Sequence, residues 1–318
     1  MAVNYLTQTE LGQFLNQGGN IDPSVRSALF HSLEQSGVFQ NDDSRVWFES
    51  GPFAGGPVPP TIQLLDVSSS TSVETNPALK GIILDDHGGK TLDVTGGHND
   101  VFVAMGNGSD TVNLHDSGND TVYGGSGNDV ISGGHGNSSL VGGDGNDTIT
   151  GGSGNDTLDG GSGNDALVAA SGAAQSLIGG DGNDLLLQLG QVGHSTLSGG
   201  NGNDTIQGVQ GDQFDGGSGN DQIWLHAGAA GANSTLQGGD GNDAFHIATH
   251  TGNDTILGGS GNDTVDFTDR SFFDVTKIDV DANTSTFTLH FSDNQTVAVS
   301  GVEDLHFTDQ DVHLPTKI

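Results

Sequence analysis

The stretch from Gly124 to Val168 limits the possible folds of this chain more than any other feature. It consists of five consecutive nine-residue units, GGSGNDVIS, GGHGNSSLV, GGDGNDTIT, GGSGNDTLD and GGSGNDALV. A period this short predicts a solenoid of stacked coils, because one unit cannot bury its own apolar residue. The eighth residue of each unit is apolar and is expected to point into a narrow core. These residues are Ile131, Leu140, Ile149, Leu158 and Leu167.

The first six residues of each unit follow the pattern Gly-Gly-x-Gly-x-Asp, with Ser138 in place of Asp in the second unit. Glycine permits positive φ and close backbone approach, so carbonyl groups in such a loop can turn inward. The Asp at the end of the loop adds a hard anionic oxygen, which suits calcium rather than zinc or copper. The pattern therefore predicts loops that can bind calcium.

These units resemble the GGxGxDxUx nonapeptide of the RTX (repeats-in-toxin) family of calcium-binding proteins. The resemblance implies an all-β fold, a right-handed parallel β-roll in which two nonapeptides form one coil. It implies calcium ions between same-side loops of adjacent coils. It also implies export from a Gram-negative bacterium through a type I secretion apparatus with an uncleaved C-terminal signal, and hence an extracellular location.

The composition is unusual for a folded chain of 318 residues. It has 54 glycines, only 32% hydrophobic residues and a net charge of −34, which without the repeat would indicate disorder. No Lys or Arg lies between Lys90 and Arg270, and no Glu lies between Glu74 and Glu303. Such an acidic surface argues against nucleic-acid binding and against unassisted docking to anionic membranes. With the repeat, these features predict a chain that is disordered until a cation binds.

Other sequence signals are absent. The chain has no Cys, so neither a disulfide nor a Cys-type zinc site is possible. The first residues lack the basic start and apolar segment of a Sec signal, and no run of 18 apolar residues predicts a transmembrane helix. Taken alone, the missing Sec signal and transmembrane segment suggest a cytosolic protein, but the resemblance makes them expected features of type I export.

The sequence divides into four parts. Residues 1–50 are expected to form a small helical N-terminal segment. Its first helix would use Leu6, Leu11, Phe14 and Leu15, and its second would begin at Asp22-Pro23 and bury Val25, Leu29 and Leu33. Residues 51–80 contain a Pro/Gly linker and a lead-in, residues 81–266 the β-roll, and residues 267–318 a C-terminal β cap. An antiparallel hairpin is expected in that cap, around Ser292-Asp293-Asn294.

Beyond Val168 complete loops recur about once per coil, which assigns the loops to two edges. One edge has an uninterrupted row of acids: Asp110, Asp129, Asp147, Asp165, Asp184, Asp204, Asp221, Asp243 and Asp263. The other is degenerate, with Asp100, Asp120, Ser138, Asp156, Asp212 and Asp254. The hypothesis is a ladder of roughly eight calcium ions along the first edge and sparse occupancy of the second.

The candidate metal ligands are the first, third, fifth and sixth residues of the complete loops on that edge, together with Asp110 and Asp156. They are Asp110, Gly124, Ser126, Asn128, Asp129, Gly142, Asp144, Asn146, Asp147, Asp156, Gly160, Ser162, Asn164, Asp165, Gly179, Asp181, Asn183, Asp184, Gly199, Asn201, Asn203, Asp204, Gly216, Ser218, Asn220, Asp221, Gly238, Asp240, Asn242, Asp243, Gly258, Ser260, Asn262 and Asp263.

Catalytic motifs are lacking. There is no HExxH, no Walker loop and no dinucleotide fingerprint, and the GGSGND stretches are not G-x-S-x-G elbows. The chain is therefore not expected to be an enzyme. His246 and His250, the closest pair of histidines in the roll, are interpreted as solvated surface residues rather than metal ligands.

Three functions remain open. The first is a secreted calcium-binding protein that folds on extracellular calcium and serves as a structural or host-interaction factor, with a cell-surface partner bound through the N-terminal segment. The second is an adhesin or ice-binding solenoid, although charged residues such as Asp144 in the outward ladder argue against ice. The third is an accessory module of a secreted polysaccharide-active or lipolytic enzyme.

Overall fold

The computed structural model describes residues 2–7, 11, 13, 23–35, 45–50, 56–57, 64–67, 69–84, 89–170, 174–190, 193–228, 230–250 and 252–315. The chain divides into two compact units, Met1–Ser162 and Gly163–Ile318, called here the N-terminal and the C-terminal unit. Each unit is a parallel β-solenoid built from two sheets, A and B, with successive strands alternating between the sheets.

Leu11 and Gln13 of the N-terminal unit are helical, and its described residues also contain a longer helix and fourteen strands. They are β1 (Ala2–Thr7), α1 (Pro23–Gln35), β2 (Arg45–Ser50), β3 (Gly56–Pro57), β4 (Leu64–Val67), β5 (Thr71–Glu74), β6 (Gly81–Leu84), β7 (Thr91–Thr95), β8 (Phe102–Ala104), β9 (Thr111–Leu114), β10 (Thr121–Ser126), β11 (Val130–Ser132), β12 (Ser139–Asp144), β13 (Thr148–Thr150) and β14 (Thr157–Ser162).

Sheet A of this unit has the strand order β1-β2-β4-β6-β8-β10-β12-β14, and sheet B has β3-β5-β7-β9-β11-β13. Strands β1 and β2 pair antiparallel, and the pairs that follow them in sheet A, from β2–β4 to β12–β14, are parallel. The pairs of sheet B are parallel as well. Parallel pairing therefore begins before residue 81, in the segment that the sequence assigned to the linker and lead-in.

The C-terminal unit contains sixteen strands and a short 3₁₀ helix (Phe272–Asp274) among its described residues. The strands are β15 (Ala166–Ala169), β16 (Ser176–Asp181), β17 (Leu185–Gln188), β18 (Thr196–Asn201), β19 (Thr205–Val209), β20 (Gln213–Ser218), β21 (Gln222–His226), β22 (Thr235–Asp240), β23 (Ala244–Ile247), β24 (Asn253–Ser260), β25 (Thr264–Phe267), β26 (Val275–Asp281), β27 (Thr286–Phe291), β28 (Thr296–Ser300), β29 (Asp304–His306) and β30 (Asp311–His313).

In this unit sheet A has the order β16-β18-β20-β22-β24-β28-β27-β26, and sheet B has β15-β17-β19-β21-β23-β25-β29-β30. The predicted C-terminal hairpin is present as the antiparallel pair β27–β28, and β28 continues the solenoid by pairing parallel with β24. A third cap strand, β26, was not predicted. Asn294 occupies the hairpin turn with φ of 70°, a conformation that Asn tolerates better than most residues.

The predicted core residues are buried. Ile131, Leu140, Ile149, Leu158 and Leu167 each have 0% relative exposure. In sheet A of the N-terminal unit, Val122, Leu140 and Leu158 lie directly beside one another on consecutive coils. Full burial of such a side chain stabilises the fold by about 1.5–3 kcal/mol. One apolar residue per strand is therefore enough to form the core, because the equivalent residues of the coils above and below cover its side chain.

The N-terminal segment differs partly from the prediction. Helix α1 buries Val25, Leu29 and Leu33 as predicted, and it packs against Phe102 of β8. The prediction that Leu6 belongs to the first helix is wrong, because Leu6 lies in β1 and pairs with Val46 of β2. Leu11 of that predicted helix is helical, and it is buried in the same cluster as α1. Phe14 and Leu15 lie outside the described residues.

The cover provided by α1 explains why β8 is buried on both faces, whereas most strands of the array alternate buried and more exposed residues. Val103 faces the solenoid core, while Phe102 and Ala104 belong to the cluster beneath the helix. A solenoid strand is otherwise apolar on its inward face only.

Candidate metal centre

The loops of each unit line two edges of its solenoid. The first edge is formed by loops that lead from sheet A to sheet B, such as Gly124–Asp129, which begins within β10 and ends just before β11. The second edge is formed by loops that lead back from sheet B to sheet A, such as His115–Asp120 between β9 and β10. The assignment of loops by spacing agrees with this topology within each unit.

A row of hydrogen bonds joins the aspartates of the first edge. In the N-terminal unit, the N–H of Asp110 donates to Oδ1 of Asp129, and the N–H of Asp129 donates to Oδ1 of Asp147, both at 2.7 Å. The C-terminal unit repeats the arrangement at 2.8–2.9 Å through Asp165, Asp184, Asp204, Asp221, Asp243 and Asp263. One carboxylate oxygen of each acceptor thus has a structural role.

The second carboxylate oxygen of these aspartates, Oδ2, is buried inside the loops of the edge. Among the described residues, no hydrogen-bond donor reaches the buried Oδ2 atoms of six first-edge aspartates: Asp129, Asp184, Asp204, Asp221, Asp243 and Asp263. A buried anionic oxygen without a donor is costly, so it calls for a proton or a cation.

The first glycine of each loop leaves room beside this oxygen. A Cβ atom on Gly238 would lie 2.2 Å from Oδ2 of Asp243 and 2.6 Å from the carbonyl oxygen of Gly258 in the next coil. At Gly216 the corresponding distances, to Oδ2 of Asp221 and to the carbonyl oxygen of Gly238, are 2.3 and 2.6 Å. A carboxylate oxygen and a carbonyl oxygen therefore converge on the space that only glycine leaves open.

Burial makes these carboxyl groups hard to ionise. It raises the pKa of Asp129 and Asp221 to about 7, and adjacent aspartates add to the rise, while hydrogen bonds from the ladder N–H groups oppose it. The pKa of Asp147, Asp204 and Asp263 rises to about 6, again mainly through burial. A bound divalent cation would reverse this trend, because it stabilises the ionised carboxylate.

The other predicted ligands form outward ladders. Asn183 accepts a hydrogen bond at its Oδ1 from the N–H of Asn203, and Asn203 accepts one from the N–H of Asn220, both at 2.6 Å. The third-position residues are also linked, since Ser218 donates to Oδ1 of Asn201 at 2.7 Å. The structure thus places these side chains on the exposed side of the loop, apart from the buried Asp oxygens.

At Ser138, Ser195 and Ser234 the second edge has serine where the first edge has aspartate. Oγ of Ser138 accepts from the N–H of Asp120 at 3.3 Å. Ser195 and Ser234, which the repeat pattern did not predict, accept in the same way from Gln175 and Gly211. A hydroxyl replaces the ladder oxygen of Asp but supplies no second, charged oxygen.

The two aspartates of the second edge in the C-terminal unit have both oxygens engaged by the protein. Asp212 accepts from the N–H groups of Ser195 and Val209. Asp254 accepts from the N–H of Ser234, and its Oδ2 lies 2.6 Å from Nε2 of His250. The interpretation of His250 as a solvated surface residue is therefore wrong, because its side chain is only 2% exposed and pairs with Asp254.

His246 also makes contacts that a solvated surface residue would not make. Its ring stacks on Trp224 with centroids 3.8 Å apart, and its Nδ1 lies 3.0 Å from Oδ2 of Asp266. Within the described residues, no group of three or more His, Asp or Glu side chains is arranged to hold a metal ion. The candidate ligands are instead single carboxylates combined with backbone oxygens.

The donor set on the first edge fits a hard cation. It consists of carboxylate and carbonyl oxygens, which Ca²⁺ prefers, and it lacks the sulfur and imidazole donors preferred by softer metals. No helix among the described residues is long and apolar enough to span a membrane.

Comparison with known proteins agrees with this chemistry. The family described as RTX calcium-binding nonapeptide repeat, in four copies, matches residues 116–149, 136–167, 189–223, 208–229, 230–246 and 246–268. No curated protein sequence matches the chain. RTX nonapeptide repeats bind calcium, and the matched segments coincide with the loops and strands of the two solenoid units. The chain therefore carries RTX calcium-binding nonapeptide repeats within residues 116–167 and 189–268, and these repeats fold as parts of a parallel β-solenoid.

Proposed function

We propose that this protein is a secreted, non-catalytic calcium-binding β-roll that folds when it meets extracellular calcium. The observation that carries the proposal is the row of buried first-edge carboxylates whose Oδ2 atoms have no donor among the described residues. In this proposal the candidate loop residues of the first edge hold roughly eight ions, the Asp side chains directly and the loops through their backbone oxygens.

The coupling of binding to folding follows from charge. In the unfolded chain the aspartates are solvated and far apart, whereas folding stacks them at a spacing of one strand and removes them from water. Bound Ca²⁺ supplies the positive charge that makes this arrangement favourable. Because a preformed site is lost on unfolding, the binding free energy adds to the stability of the folded state.

The proposed cellular role follows from the same dependence of folding on calcium. Calcium is scarce in the cytosol and abundant outside, so the chain would remain unfolded during export through a type I channel and fold after release. The division into an N-terminal segment (1–50), a lead-in (51–80), a roll (81–266) and a cap with the export signal (267–318) belongs to this proposal. A host or surface partner for the N-terminal segment is also part of this proposal.

A calcium titration of chelated protein, followed by far-ultraviolet circular dichroism, tests the proposal. The expected result is a cooperative change from a coil to a β spectrum that magnesium does not reproduce. A full β spectrum in the presence of chelator, unchanged by calcium, would overturn it.

A further inference from the structure

The last strand of sheet A in the C-terminal unit, β26, pairs on one side only. The sheet ends in the order β24-β28-β27-β26, and among the described residues β26 pairs with β27 alone. Each residue of β26 after Val275 is exposed. An unpaired edge of this kind presents backbone N–H and C=O groups that a strand of another chain can bind.

The core-facing side of β26 is uncovered as well. Ile278 lies beside Leu289 of β27. Val280 lies beside Phe287 of the same strand. The two β27 residues are at most 9% exposed, whereas Ile278 and Val280 are 39% and 51% exposed. The apolar side of the sheet therefore extends one strand beyond the buried core, which is typical of a surface that contacts another chain.

The opposite side of β26 carries two charges of opposite sign. The side chains of Lys277 and Asp279 are 63% and 49% exposed. Nζ of Lys277 lies 2.6 Å from Oδ2 of Asp279, and Nε2 of His290 lies 2.8 Å from the same oxygen. An exposed pair of this kind contributes little stability by itself, and its exposure leaves room for the charges of a partner.

These charges are complementary to their own copy in one register. In an antiparallel pair of identical strands about a twofold axis, an axis at Ile278 places Ile278 opposite itself. Lys277 of each chain then faces Asp279 of the other. An axis at Lys277 or at Asp279 would place identical charges directly opposite each other, which is destabilising. An axis at Val280 would place Asp279 opposite Asp281, with the same effect.

We propose that the free edge of β26 binds β26 of a second copy of this chain, in an antiparallel pair centred on Ile278. The pair covers Ile278 and Val280 and brings Lys277 and Asp279 of the two chains together twice. The net charge of −34 opposes association, so the dimer is expected where salt screens that charge, at about 150 mM. A monomeric protein would leave the proposed calcium-dependent folding intact.

Cysteine cross-linking tests the register, because the chain has no Cys of its own. Ile278→Cys places the new side chain opposite its copy, at a Cα–Cα distance of about 4.5–5.5 Å that a disulfide can span. Val280→Cys is the matched control, because Val280 is at least as exposed but would lie four residues from its copy, roughly 13 Å along the strands.

Mild oxidation in saturating calcium, followed by a non-reducing gel, is expected to link Ile278→Cys into a dimer and to leave Val280→Cys monomeric. Equal cross-linking of the two variants, or none in either, would overturn the proposal.

Charge reversal tests the same contact without a covalent bond. In sedimentation velocity at about 50 μM, the parent is expected to be a dimer. Lys277→Asp and Asp279→Lys each place like charges opposite each other and should be monomeric alone. Their equimolar mixture should form a heterodimer, because every facing pair then has opposite signs. Glu74→Lys, on the exposed side of β5, makes the same charge change as Asp279→Lys and should leave the dimer unchanged.

A monomeric parent, or a mixture that stays monomeric, would overturn the proposal, as would single variants that dimerise like the parent. Far-ultraviolet circular dichroism in calcium checks that each variant is folded. If a charge variant does not fold, the comparison of Ile278→Cys with Val280→Cys decides, because both positions are exposed and tolerate substitution.

Discussion

The backbone N–H of Asp263 donates a 2.8 Å hydrogen bond to Oε2 of Glu303, forty residues further along the chain. Asp263 is the last aspartate of the first edge, and Glu303 lies in the C-terminal cap. In the preceding coils the same N–H donates to the next aspartate, as from Asp243 to Asp263. The cap therefore ends the ladder with an acid of its own, which also keeps the last coil from being an open edge.

Replacing Glu303 should destabilise the last coil. Glu303→Ala leaves the partly buried N–H of Asp263 without its acceptor, at an expected cost of about 1–3 kcal/mol in the free energy of unfolding. Glu303→Gln keeps an acceptor oxygen and should recover most of this loss. Urea unfolding in saturating calcium measures both. Equal stability of Glu303→Ala and the parent would contradict this role.

The first glycine of a loop should not tolerate a side chain. Gly238→Ala places a methyl group 2.2 Å from Oδ2 of Asp243, where we propose that calcium binds. We expect a loss of about 1–3 kcal/mol from overpacking, together with weaker calcium binding. Thermal unfolding and calcium titration check the two effects.

Gly97→Ala is the matched control for this change. Gly97 is exposed, and a Cβ atom there would meet nothing within 4 Å. Its effect should remain within about 0.5 kcal/mol. A similar loss in both variants would indicate that glycine at the first loop position is not required by the site.

Low pH should partly replace calcium in stabilising the folded state. Burial raises the pKa of Asp129 and Asp221 from 3.8 to about 7, so the folded chain binds protons that the unfolded chain releases. The free energy of unfolding without calcium should therefore fall as the pH rises from about 4 to about 7. Far-ultraviolet circular dichroism of the chelated protein checks this, because a larger β content is expected at about pH 5 than at about pH 8.

Calcium should reverse that dependence, because it binds the ionised carboxylates and displaces their protons. The apparent calcium affinity is then expected to rise across the same pH range. A larger β content of the calcium-free protein at about pH 8 than at about pH 5 would be incompatible with buried, protonated ladder carboxyls.

Restoring the consensus on the second edge should create a site. Ser138→Asp keeps the ladder acceptor for the N–H of Asp120 and adds a second, charged oxygen. One additional bound calcium ion is expected, measured by equilibrium dialysis. Ser139→Asp adds the same charge one residue later, on β12, and should add none. No gain from Ser138→Asp would mean that the second edge is unsuitable for other reasons.

The sequence predicts the repetitive part of the structure well, because the period fixes what each residue faces. Leu236 and Ile256 are buried although the loops around them have lost much of the consensus. The core apolar residue always follows the ladder residue by two positions. Ser195 and Ser234 obey that rule before Leu197 and Leu236, so this spacing could have identified them.

Features that depend on contacts between distant segments could not be read from the repeat. Leu6 fits a helical pattern, yet β1 forms because β2 is available as an antiparallel partner. His250 resembles any polar loop residue in sequence. It is buried because Gln295 of the cap hairpin closes over it and Asp254, with Gln295 Nε2 at 3.1 Å from the ring.

Calcium anomalous scattering from crystals of the calcium-bound protein would show whether the first edge binds calcium, because it locates each ion. We expect a row of peaks along the first edge, each within about 2.3–2.6 Å of an aspartate Oδ2 such as those of Asp184, Asp204 and Asp243. Few peaks are expected on the second edge. Equal numbers of ions on the two edges, or no ion beside these oxygens, would contradict this expectation.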